Sequence, residues 1–170
     1  MNVIDPIISE FSQESATTRK MLERIPEKDF GWKPHEKSMT MCQLASHIVE
    51  SIGFAEMLLE MDEFDIDPSS FKPWLADNTA ELLEQFDKNV AKATELMKKQ
   101  TDESLMQIWT MKIAGEVAFA IPRMASWRGF IVNHNVHHRG QLSVFLRLRD
   151  VPVPPVYGPT ADEEVAMGQC

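Results

Sequence analysis

Apolar side chains recur at helical spacing through four long stretches of the chain, and proline falls at or outside their ends. The first stretch runs from about Asp5 to Arg24. Its Ile4, Ile8, Phe11, Ser15, Thr18, Leu22 and Ile25 step by fours and threes, which makes one seam. The second runs from near Thr40 to near Met61, with Leu44, His47, Ser51, Phe54 and Leu58 in its seam. The third spans about Asn78 to Gln100 and carries Leu82, Phe86, Val90, Ala93 and Met97. The fourth runs from near Pro122 to Asp150, its seam passing through Met124, Trp127, Ile131, His134, His138, Gln141, Phe145 and Leu148.

The ends carry matching signals. Asp5 is placed to cap the first helix, and Pro6 suits an opening turn whose N–H would be unpaired anyway. Thr40-Met-Cys-Gln43 has the form of a capping box, and Asn78 and Glu81 share its spacing. Val-Pro-Val-Pro-Pro, residues 151–155, stops the fourth helix. Residues 62–76 are rich in Asp, Pro and Ser and read as a long crossover loop. Thr101 is placed to cap a short helix through Gln107, and Trp109 to Ile113 alternates apolar and polar as an extended piece would. With no convincing set of strands, the expected fold is all-α, a single-domain four-helix bundle with the crossover loop between helices two and three.

Composition narrows the functional classes. A formal charge of −9 with no basic run argues against nucleic-acid binding, where affinity comes largely from neutralising phosphate. No stretch reaches the roughly 18 unbroken apolar residues of a membrane span. The first 15 residues do not read as a signal peptide, so a cytoplasmic location is expected by default. Two cysteines in 170 residues are no disulfide framework, and Cys42, inside a helical pattern, reads as a small core residue.

The chemistry lies in the histidines. Four residues turn an α-helix by about 400°, so His134 and His138 stand on one face, one turn apart. His47 lies on the seam of another helix, so three imidazoles are expected to point into one interior. A buried ring without a partner costs on the order of 1–3 kcal/mol, and protonating any one of three would repel the others. A divalent metal resolves this, because each neutral imidazole offers it a lone pair. The blander reading, three separately hydrogen-bonded core histidines, suits any one of them alone better than all three together. His137 falls about 100° around the helix from His138 and reads as a packing or supporting residue. His35, beside Pro34 in a loop, reads as a surface histidine. Gln141 and Glu50, each about a turn beyond a seam histidine, are candidates to support a ligand or a bound water. Three histidines leave a coordination position open and cancel none of the metal's charge, the pattern of a catalytic site.

His-Asn-Val-His-His-Arg-Gly-Gln-Leu, residues 134–142, resembles the signature of the DinB/YfiT-like family of metal-binding four-helix bundles. Trp32-Lys33-Pro34, Leu44-Ala45-Ser46-His47 and the segment Val153 to Pro159 agree with it, in the right order along most of the chain. The resemblance implies a metal triad of His47, His134 and His138, holding nickel or zinc, in a protein that pairs as a homodimer. It also implies a small-molecule substrate. Characterised members of the family include transferases for low-molecular-weight thiols such as bacillithiol and a mycothiol-dependent isomerase, and others carry the label of metal-dependent hydrolase.

Two functional readings follow. In one, the chain is an enzyme in which the metal lowers the pKa of a thiol cofactor, or of water in a hydrolytic variant. In the other it is a non-enzymatic metal-binding or stress-response bundle whose ion is mainly structural. The seams identify no carboxylate as a general base, so no catalytic residue beyond the three ligands is expected. The apolar seams alone are expected to hold the fold when metal is removed.

Overall fold

A computed structural model of the chain describes residues 3–162. Four long helices, α1 (Ile4–Leu22), α2 (Met41–Gly53), α4 (Thr79–Lys98) and α7 (His134–Leu148), pack so that α1 and α2 each lie against both α4 and α7. The first and third seams are buried largely as their spacing requires. Phe11, Ser15, Thr18 and Leu22 of α1 and Leu82, Phe86, Ala93 and Met97 of α4 all lie in the interior. Thr40 and Gln43 form the full capping box on α2, and the Asn78 side chain accepts the Glu81 N–H at the start of α4. Asp5 does not cap α1. The helix begins two residues earlier, with Val3 at the cap, and Asp5 sits inside the first turn, where its charge still favours the helix terminus.

The all-α expectation is overturned by a three-stranded mixed sheet, which makes the fold α/β. Strand β1 (Glu63–Ile66) pairs in parallel with β2 (Ile108–Ile113), and β2 pairs antiparallel with β3 (Glu116–Pro122). Strand β1 is the correction to the crossover loop. Four residues are too few for a period to declare itself, and the partner of Ile66 is Ile113, far along the chain. The expected short helix is α5 (Asp102–Met106), capped by Thr101, and the expected extended piece is β2. Ala114 and Gly115, with φ of 51° and 84°, make the two-residue turn into β3 that a twisted hairpin favours.

The second and fourth helices are each broken. A short helix α3 (Ala55–Glu60) follows α2 after an interruption at Phe54. Gly53 lets α4 approach here: an added Cβ would stand 3.3 Å from Asn89 Nδ2, which donates to the Val49 carbonyl. The fourth stretch opens as α6 (Arg123–Ser126), widens into a π-helix at Trp127–Asn133, and only then becomes α7. Each π turn spends an extra residue, so a seam counted forward at 3.6 residues per turn slips in phase. The buried positions of α7 are accordingly Asn135, Arg139, Leu142, Phe145 and Leu146, while Gln141 and Leu148 are exposed.

Cys42 is half-buried, its thiol donating to the Ala76 carbonyl at 3.4 Å. Cys170 lies outside the described residues. Among the described residues no helix is long and apolar enough to cross a membrane.

Candidate metal centre

The phase slip moves His134 and His138 off the core-facing line and onto the flank of α7, where both are half-buried, as is His47 on α2. Two buried polar residues hold α7 in this rotation. Asn135 donates from Nδ2 to Ser51 Oγ on α2 at 2.9 Å and to the Ile131 carbonyl at 2.8 Å. Arg139 donates to the Glu14 carboxylate at 2.7 Å, to the Glu14 carbonyl and to Thr18 Oγ1, which fastens α7 to α1. It also donates to the Tyr157 hydroxyl, which donates in turn to Glu14. Ser51 is one turn beyond His47, and Asn135 follows His134, so the Asn135–Ser51 bond sets the separation of the two rings. The sequence reading missed Asn135 and Arg139, because a phase counted without the π turn puts both outside the interior.

The resulting cluster is tight. One ligand atom from each of His47, His134 and His138 lies within 4.8 Å of the others. The Nε2 atoms of His47 and His134 are 2.8 Å apart, the distance of a hydrogen bond in which one ring donates and the other accepts. His138 Nδ1 lies 2.7 Å from Gln141 Oε1; since the amide oxygen can only accept, Nδ1 carries the proton and Nε2 keeps its lone pair. This is the outer hydrogen bond by which metal-ligating histidines are commonly oriented. Three neutral nitrogen donors at this spacing could hold a metal ion.

The electrostatics favour the neutral, ligating form. Burial pushes the His134 pKa down to about 4, and repulsion from His138, His47 and His137 adds to it. Burial also lowers His47 and His138, the Gln141 bond opposing the shift at His138.

The other candidates separate from the cluster. His137 is exposed and meets the His138 ring edge-on at 4.9 Å. His35 is an exposed loop residue whose Nδ1 accepts the Lys37 N–H. Glu50 accepts the Trp74 N–H through Oε1 and so pins the segment that follows β1.

The strands complete the surroundings. A cavity of about 170 Å³ opens beside His47 and His134, walled by Leu58, Ile66, Trp109, Met111 and Phe130. Its Ser51 hydroxyl is already spent on the Ile48 carbonyl and Asn135. Aromatic contacts press the sheet over the cavity: Phe119 stacks on Phe130 at 5.1 Å, and Phe64 meets Phe54 edge-on at 5.9 Å. His47 also borders a groove of about 690 Å³, where Lys37, Gln43 and Glu50 stand among mostly apolar residues such as Phe71 and Trp74.

The chain resembles known proteins in sequence and in fold. The profile of the DinB family matches residues 1–166. The chain is 23% identical to the uncharacterized protein YrdA of Bacillus subtilis over 170 residues, 97% of this chain and 94% of that one. It is 25% identical to the uncharacterized protein YjoA of the same organism, over 83% of this chain and 87% of the relative. Crystal structures of a DinB-like protein from Bacillus cereus and of YjoA share the fold, with TM-scores of 0.69 and 0.68 at 21% and 24% identity. The first covers 88% of this chain and 94% of its own, the second 89% and 96%.

Proposed function

Because the chain belongs to the DinB family, we propose that His47, His134 and His138 hold one divalent metal ion and that the protein is a metal-dependent thiol S-transferase. The observation that carries this reading is the position of the rings. His47 borders both an apolar cavity and a larger groove, and His134 borders the cavity. A structural metal site is closed by four protein ligands. Three histidines beside open volume leave room for a small molecule.

A cation held by three uncharged imidazoles keeps its full charge and would stabilise a thiolate over a thiol at the open position. In the transfer, the S–H proton passes to water through the groove. Sulfur then forms a bond to the electrophilic carbon, and the leaving group departs with the electron pair of the bond that breaks. The chain's own part is to hold the ligand nitrogens unprotonated, through burial and the Gln141 bond, and to keep water from the electrophile. Hydrolysis fits less well. The cavity wall offers no carboxylate as a general base, and Glu50 in the groove is engaged with the Trp74 backbone.

The test is to load the purified chain with Ni²⁺, titrate low-molecular-weight thiols and follow the metal's absorption. The expected result is a spectral change complete near one thiol per ion. Adding an electrophile then consumes the thiol faster than metal-free protein does. A spectrum unmoved by any thiol overturns the transferase reading.

A further inference from the structure

We infer that the cavity under the sheet binds a small, largely apolar molecule carrying one hydrogen-bond acceptor, to which the indole N–H of Trp109 donates. Such a site stands with or without thiol chemistry at the metal, since it rests on a cavity wall and one unpaired donor. Among the described residues, Asp29 Oδ2, Trp109 Nε1, Ser126 Oγ, Trp127 Nε1 and Asn135 Oδ1 are buried without a hydrogen-bond partner. Of these residues, Trp109 alone walls this cavity. It is 3% exposed and stands on β2 opposite Ile121, its ring tilted against Phe119 at 6.0 Å. Phe119 stacks in turn on Phe130, another wall residue. Burial and these ring contacts hold the indole in the interior, so its N–H does not reach solvent. An indole nitrogen can only donate, and a buried donor left unpaired is destabilising.

Water is a poor partner for that donor. A buried water needs about two to four polar neighbours, and the rest of the wall supplies few. Phe54, Leu58, Ile66, Met111 and Phe130 are apolar. The Ser51 hydroxyl is engaged with the Ile48 carbonyl and Asn135, and the Nε2 atoms of His47 and His134 meet each other at 2.8 Å. An apolar body with a single acceptor satisfies the site better, because it buries its own surface and pairs the indole at once. Size sets the other limit. An apolar cavity of about 150 Å³ accepts benzene, and this one measures about 170 Å³. The occupant is therefore a ring of benzene's size, or a short branched chain, bearing one carbonyl, ether or nitrile.

The test uses two probes of one shape, cyclopentanone and methylenecyclopentane, which differ in carrying an oxygen or a methylene group. The full chain, with isotopically labelled tryptophan, is titrated with each, and the affinities are read calorimetrically. Both should bind. Cyclopentanone should move the Trp109 indole proton downfield, and the alkene should move it far less. Trp109→Phe removes the donor and keeps a ring, so it should weaken cyclopentanone about tenfold more than it weakens the alkene. Should Trp109→Phe fail to fold, the assigned indole resonance of the wild-type chain decides alone. Binding by neither probe, an indole proton that both probes move alike, or equal losses in Trp109→Phe overturn the assignment. The thiol titration reads the metal and this one reads the indole, so either reading can fall without the other.

Discussion

The three histidines and the cavity wall beside them meet at one junction but are positioned by different kinds of order. His47, His134 and His138 stand on α2 and α7, whose hydrogen bonds close within a few residues and fix side-chain direction locally. Ile66, Trp109 and Met111 stand on strands paired across the chain, Ile66 against Ile113. Their direction depends on register, and register depends on what the sheet packs against. The histidine cluster thus stands on locally encoded helices and the cavity wall on tertiary strand pairing. In that division a ligand change should act on metal without disturbing the sheet, and a sheet change should act on stability and the cavity without removing metal.

The largest effect expected is on the helical side. His47→Ala, His134→Ala and His138→Ala should each abolish stoichiometric metal binding, a loss beyond the roughly 10–100-fold that removing an outer partner costs. His137→Ala and His35→Ala should leave metal content at wild-type level. Elemental analysis of the purified variants checks this, and equal metal in wild type and all three ligand variants would remove the assignment.

Next in size comes a change on the tertiary side. Trp109, 3% exposed, fills the space between the sheet and the helices. Trp109→Ala should cost about 3–5 kcal/mol, the usual penalty for emptying a buried aromatic site. Metal stoichiometry should stay at one in the folded fraction. Urea unfolding gives the first quantity and elemental analysis the second. Metal lost in parallel with stability would join the two regions into one cooperative site and break the comparison.

How much of this was legible in the sequence follows the same line. The seams of α1 and α4, the capping box of α2, the Thr101 cap of α5 and the convergence of three histidines were all readable, because each rests on spacings of three or four residues. Strand β1 was hidden: Glu63-Phe64-Asp65-Ile66 does alternate, but its outward Glu and Asp look like loop composition until β2 is beside it. The phase of α7 was hidden by the π-helix, which has no mark in the sequence that a count at 3.6 could use. That slip also concealed the burial of Asn135 and Arg139. The available signal was that Asn135 and Arg139 step at helical spacing with Ile131, Leu142 and Leu146.

A smaller effect sharpens the helical side further. Gln141 touches the site only through His138 Nδ1, so it is a positioning residue. Gln141→Leu keeps the volume, removes the acceptor and frees the imidazole tautomer. Metal affinity should fall by about tenfold, the low end for an outer-shell partner. Gln141→Glu, which restores an acceptor, should recover it. Competition with a chelator of known affinity measures both, and equal losses in the two variants would make the contact structural only.

The smallest effect expected is the acid response of the metal-free chain. His134 has its folded pKa lowered to about 4 from the ordinary imidazole value of about 6.5, with burial as the first cause. Above 6.5 the ring is neutral folded or unfolded and contributes nothing. As pH falls from 6.5 toward 4 the unfolded chain takes up a proton that the folded one resists, so folding stability declines through that window and levels off below it. The ring is half-buried and partly screened, so the change should amount to only a few degrees in Tm for a chain of this size. Carboxylates also titrate near the lower end, so the decisive quantity is a difference: His134→Ala should lose less Tm between pH 6.5 and 4 than wild type does. The same lowering, shared in direction by His47 and His138, weakens proton competition for the ligand nitrogens, so loaded metal should be lost only as the solution is acidified below the ordinary imidazole range. Equal acid slopes in wild type and His134→Ala would mean that water already solvates the ring, and the cluster would then be an open surface rather than a dry centre.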